Sequence, residues 1–127
     1  MSQTRRKVLV VDDELDTAQT FRLILESSGL RVDIFTDPKK ALGTFIPAYY
    51  DLVVIDVRMP GMNGFELYSE MKSIDYKIKV LFLTALTDLQ DYEDFKSKVS
   101  LKQHHRHFVQ KPVEKDQFLD QVYFILF

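Results

Sequence analysis

Five short apolar runs constrain this chain more than any other feature: Val8–Val11, Val32–Phe35, Leu52–Ile55, Val80–Leu83 and Phe108–Val109, separated by longer amphipathic stretches. Four of the five are nearly continuous β-branched or large apolar residues without polar alternation. Strands buried on both faces read this way, and runs of about four or five residues are too short for buried helices.

The stretches between them carry helical periodicity. The first starts near Glu14, places Leu15, Ala18, Phe21 and Leu25 on one face, and stops at Gly29. The second has Asp37 as N-cap and Pro38 at its first position, and ends before Pro47. The third opens at Asn63 with Glu66 at capping-box spacing, and its apolar face includes Phe65, Tyr68 and Met71. The fourth has Thr87 and Gln90 at the same spacing, then Tyr92, Phe95 and Val99. The fifth runs from about Glu114 to the end, with Phe118, Leu119, Val122, Tyr123, Ile125 and Leu126. Strict strand–helix alternation predicts an α/β fold, a parallel sheet covered on both faces. A chain of 127 residues predicts one domain, 1–127, with a core that needs no staples.

Composition removes several classes of function. The formal net charge of −2 gives no global field toward nucleic acid or an anionic membrane, and Arg5-Arg6-Lys7 is too short to change that. There is no cysteine, which excludes disulfides and thiolate metal sites. Neither an apolar leader core nor a run of about 18 apolar residues is visible, so the expectation is a cytoplasmic protein with no membrane contact and no direct nucleic-acid binding.

In doubly wound sheets, ligands bind outside the carboxyl ends of the strands. Those ends carry Asp12, Asp13 and Glu14 after the first run, Asp56 after the third, Thr84 after the fourth, and Lys111-Pro112 after the fifth. A lone aspartate there is ordinarily a turn residue or helix cap. Three carboxylates converging from two strands instead require a cation, or one of them must protonate. Hard oxygen donors without cysteine or a helical His pair point to Mg²⁺, with Mn²⁺ tolerated. An exposed aspartate beside that ion, a lysine and a hydroxyl is placed to attack phosphorus and form an acyl phosphate.

Four segments, in order and at fitting spacings, resemble the receiver domains of two-component response regulators. They are Val8-Leu9-Val10-Val11-Asp12-Asp13-Glu14, the stretch from Leu52 through Asp56 to Met59-Pro60-Gly61-Met62-Asn63-Gly64, Leu83-Thr84-Ala85, and Phe108-Val109-Gln110-Lys111-Pro112. The resemblance spans essentially the whole chain. It implies a flavodoxin-like doubly wound sheet of order 2-1-3-4-5 with five helices. It also implies that Asp56 is the phosphoacceptor, with Lys111 paired to it and Thr84 bonding a phosphoryl oxygen. Asp13 would ligate Mg²⁺ directly, Asp12 would help through water, and Asp56 and the backbone carbonyl of Arg58 would complete the protein ligands. Ala85 leaves room for the phosphoryl group, the Lys111–Pro112 peptide is expected cis, and Phe108 takes the place of a switch aromatic; ordinary core packing is its other reading.

The implied function is a signalling switch rather than an enzyme acting on other substrates. Its phosphodonor would be a sensor histidine kinase or phosphotransfer protein. Its output would be a homodimer or partner contact through the fourth helix, fifth strand and fifth helix, a surface that the apolar last turn Tyr123–Phe127 also suggests. An aspartyl-phosphate phosphatase is the alternative, but it needs an acid two residues after the nucleophile, and position 58 is Arg. A nucleotide or flavin module would want a Gly-rich loop where Asp12-Asp13-Glu14 stands. A receiver that works without phosphate would lack one of five residues that are all present. The stretch before the fifth strand, Ser97–His107, is longer than the family pattern. Its histidines, His104, His105 and His107, read as a solvated basic loop before they read as metal ligands. A stand-alone regulator and a receiver cut from a longer protein both fit.

Overall fold

The structure, a computed structural model, describes residues 5–85 and 107–127. Five strands, β1 (Lys7–Val11), β2 (Arg31–Phe35), β3 (Leu52–Asp56), β4 (Lys79–Thr84) and β5 (Phe108–Gln110), form one sheet of order β2-β1-β3-β4-β5. Every neighbouring pair is parallel. Among the described residues three helices connect strands, α1 (Leu15–Ser27), α2 (Pro38–Thr44) and α3 (Gly64–Ile74), and a fourth, α4 (Lys115–Leu126), follows β5. The helix expected from Thr87 onward lies outside the described residues, so α4 is the fifth helix anticipated from the sequence.

The unalternated apolar runs have the expected cause. Along β1 and β3, Val8, Val10, Leu52 and Val54 face a core closed by Ala18, Phe21 and Leu25 of α1 and Phe118 and Val122 of α4. Leu9, Val11, Val53 and Ile55 face the opposite core, closed by Ala41 of α2 and Leu67, Tyr68 and Met71 of α3. Both faces are therefore dry, at roughly 1.5–3 kcal/mol for each large apolar side chain buried. Phe21 and Phe118, with ring centroids 4.9 Å apart, tie α1 to α4.

The helix punctuation follows local chemistry. Asp37 caps α2 through Lys39 N, and Asn63 and Glu66 form a reciprocal capping box on α3. Gly29, at φ +88°, donates to the Glu26 carbonyl and ends α1. Two residues assigned to apolar helix faces are solvent-facing instead. Leu15 is 52% exposed because it opens α1 beside the strand-end loop, before the helix meets the sheet, and Tyr123 is exposed on the outer side of α4.

Candidate functional site

Strand register assembles the site. Val11 pairs with Ile55, so the residues that follow each, Asp12 and Asp56, emerge side by side. Asp56 pairs with Leu83, which places Thr84 one step beyond it, and Thr84 pairs with Gln110, one residue before Lys111. The Lys111 amide donates to the Thr84 carbonyl at 2.7 Å, fixing the start of the turn in which the Lys111–Pro112 peptide is cis, as expected.

The side chains converge accordingly. One oxygen from each of Asp12, Asp13 and Asp56 lies within 4.8 Å of the others. Lys111 Nζ stands 3.4 Å from Asp56 Oδ1 and 3.5 Å from Asp12 Oδ2, bridging both rather than pairing with one. Asp12 is fully buried, and its Oδ1 accepts the Glu14 amide at 3.0 Å. Asp13 is exposed. Asp56, expected to be exposed, is only 6% so, because it is still the last residue of the central strand and α3 begins against it. The Thr84 hydroxyl donates to the Ala85 carbonyl at 3.2 Å, and Arg58 is exposed in the loop after β3.

Electrostatics follow from this crowding. Burial, reinforced by the charge of Asp12, pushes the Asp56 carboxyl from its ordinary 3.8 up to about 6, against the pull of Lys111. Burial also raises Asp12, although the Glu14 amide and Lys111 oppose it. At Lys111, burial works to lower the pKa, but the Asp56 and Asp12 carboxylates outweigh it and the ammonium is held more firmly. One lysine thus leaves the cluster incompletely neutralised. A small, hard divalent cation fits that donor set of clustered carboxylate oxygens, two of which ionise reluctantly.

Two contributors are not among the sequence expectations. A Cβ on Gly64 would sit 2.5 Å from the Asp56 carbonyl oxygen and 2.9 Å from Ile55 Cγ2, so the first residue of α3 packs directly on the Asp56 peptide. A glycine in the first turn of a helix, where it weakens helix formation, is the signal that marks such an approach. The second is Gln121 of α4, whose amide nitrogen donates to the Phe108 carbonyl at 3.0 Å. Phe108 itself is half-buried, stacked on Phe82 at 5.2 Å.

His107 departs from the solvated-loop expectation: its ring is half-buried and Nδ1 lies 2.9 Å from the Val80 carbonyl. His104 and His105 lie outside the described residues. Among the described residues, the Asp12–Asp13–Asp56 group is the one cluster able to hold a metal, and no helix is long and apolar enough to cross a membrane.

Comparison with known proteins agrees with this geometry. The response regulator receiver domain family matches residues 8–123. Sporulation initiation phosphotransferase F of Bacillus subtilis is 30% identical over 116 residues, covering 91% of this chain and 90% of that protein. The transcriptional regulatory protein PcoR of Escherichia coli is 30% identical over 68% of this chain, and the DNA-binding response regulator MtrA of Mycobacterium tuberculosis is 32% identical over 72%. The matches span only 38% and 40% of those two regulators. Among solved structures, the non-phosphorylated HemR receiver domain of Leptospira biflexa superposes with a TM-score of 0.82 at 26% identity, covering 96% of this chain and 94% of that one. A CheY-like receiver domain protein of Methanospirillum hungatei does so with a TM-score of 0.84 at 22% identity, covering 97% and 94%.

Proposed function

This chain belongs to the response regulator receiver domain family, the phosphorelay signalling switches, and from that premise we propose that Asp56 is its phosphoryl acceptor. The observation that carries the reading is the convergence of Asp12, Asp13, Asp56 and Lys111 at one sheet edge. Response regulators work with histidine kinases or phosphotransfer proteins, and the donor proposed here is a phosphohistidine on such a partner. A cleft of about 290 Å³ between α1 and the Lys111–Val113 turn adjoins the site and gives that donor an approach.

An Asp56 carboxylate oxygen attacks phosphorus in line with the phosphoimidazole bond. The O–P bond forms as the P–N bond breaks, and its electron pair stays on the imidazole nitrogen, which takes a proton from solvent. The product on the protein is an acyl phosphate. Lys111 holds Asp56 ionised for attack and then faces the added charge, while the Thr84 hydroxyl turns to a phosphoryl oxygen. Asp12, Asp13, Asp56 and the Arg58 carbonyl would hold Mg²⁺, or Mn²⁺ in its place, which when bound offsets the negative charge of carboxylates and phosphoryl oxygens.

The output proposed is a change in the surface of β5, α4 and the segment before them, read by a second copy or a partner. The exposed Tyr123, Phe124 and Phe127 support it. Activity is confined to the protein's own phosphorylation and dephosphorylation. Arg58, where an aspartyl-phosphate phosphatase needs an acid, speaks against that alternative. The reading covers 1–127 as one receiver unit in the cytoplasm, with no direct contact to nucleic acid or membrane.

Labelling with acetyl phosphate tests the acceptor. One phosphoryl group per wild-type chain is expected in Mg²⁺, and none in Asp56→Asn. Stoichiometric labelling of Asp56→Asn, mapped to another residue, would overturn the assignment.

A further inference from the structure

The aromatic rings of α3, β4 and β5 meet on one face of the sheet, and one of them is rigidly tied to the acceptor. Gly64 abuts the Asp56 peptide, its amide donates to the Val57 carbonyl at 2.8 Å, and the Asn63–Glu66 box locks the first turn of α3. Phe65 therefore stands at a place set by the backbone of Asp56. Its ring meets Phe82 edge-on at 5.0 Å and Phe108 at 6.2 Å, also edge-on. Phe82 and Phe108 are register partners, stacked with an interplanar angle of 29°. Phe108 thus sits against the face of one ring and the edge of another, in arrangements that favour aromatic pairs by about 0.5–1.5 kcal/mol beyond their burial.

Thr84 lies two residues along β4 from Phe82, opposite Gln110. Any turn of the Phe108 ring changes its contact with the edge of Phe65. We propose that Phe65 is a positioning residue for the switch, which seats Phe108 over Phe82 and makes the α3 start a second mechanical link between Asp56 and β5, beside Thr84. The proposal rests on the phosphoacceptor reading and adds to it a residue outside the phosphoryl site.

Equilibrium logic supplies the test. If Phe65 favours the seat over Phe82, its loss favours the turned state, and a ligand that prefers the turned state binds more tightly. The probe is beryllofluoride, titrated in Mg²⁺ and followed by NMR. Phe65→Leu is expected to tighten its affinity by about threefold or more. Phe65→Tyr, which keeps the ring edge, is expected to hold the wild-type value, and Phe65→Leu is expected to have no effect in a Phe108→Leu background. Thermal melts run in parallel identify any variant that loses its fold. An unchanged or weaker affinity in folded Phe65→Leu, or a change that persists without Phe108, would overturn the proposal. Failure of beryllofluoride to bind the wild-type protein would instead count against the phosphoacceptor reading beneath it.

Discussion

Gly64 lies against the backbone of Asp56 with no room for a methyl group: the nearest atom to a built Cβ is the Asp56 carbonyl oxygen, at 2.5 Å. The obstacle is backbone at the end of the central strand, which cannot swing aside as a side chain would. Gly64→Ala should therefore destabilise by about 1–3 kcal/mol, the usual cost of overpacking. It should also slow acetyl phosphate labelling, because relief of the clash shifts Asp56, the proposed acceptor. Urea denaturation and labelling rates on the same preparation check this. Wild-type stability with wild-type labelling would show that α3 does not pin Asp56.

The raised pKa of Asp56 makes stability depend on pH in a definite direction. The folded protein holds this proton up to about pH 6, whereas the ordinary carboxyl releases it near 3.8. Between those values the folded state binds more protons than the unfolded one, so stability falls as pH rises through the window. The cost is absent below about pH 4 and complete above about pH 6, amounting to about 2–3 kcal/mol. Asp56→Asn carries no such charge. In chelator, its stability advantage over wild type should be small near pH 4 and grow to that size by pH 7. An advantage that does not change with pH would refute the burial argument.

Lys111 is the cation that makes a fully buried Asp12 and a nearly buried Asp56 tolerable together. Lys111→Met should lower the stability of the metal-free protein by about 1–3 kcal/mol at pH 7.5, since two buried acceptors lose a charged donor. Saturating Mg²⁺ should recover part of the loss. Paired melts with and without Mg²⁺ measure it, and a metal-independent loss would mean that Lys111 acts only by packing.

Asp13 is the exposed member of the carboxylate group, so its removal should harm the metal more than the fold. Asp13→Ala should weaken Mg²⁺ binding in calorimetry by at least the 10- to 100-fold, roughly, that losing a contact to a metal ligand costs. The apo melting temperature should hold or rise, since a repelling charge has gone. Wild-type Mg²⁺ affinity in this variant would remove Asp13 from the ligand set.

On the proposed reading, Thr84 reports the phosphoryl group rather than receiving it. Thr84→Ala should keep stoichiometric labelling at Asp56 while blunting the response of residues 107–127 in amide exchange. A full response there would show that the signal leaves the site by another route, with Phe65 the first to examine.

Among the described residues, the order of strands and helices, the parallel sheet and the identity of the strand-end residues were legible in the sequence. Uninterrupted apolar runs can be stable only when both sheet faces are covered, and helices with a single apolar stripe can cover them in only a few ways. Asp37, Asn63 and Glu66 were legible as caps because capping is local chemistry within a few residues. Depth was decided by tertiary structure. Asp56 is buried because α3 starts against its carbonyl, and Leu15 is exposed because α1 meets the sheet only a turn later; neither relation lies within a local window. The double bridge from Lys111 to Asp12 and Asp56, the link from Gln121 to the Phe108 carbonyl, and the seat of Phe108 between Phe65 and Phe82 join residues from separate elements. Register and packing angle set such distances, and they exist only once the whole sheet has formed.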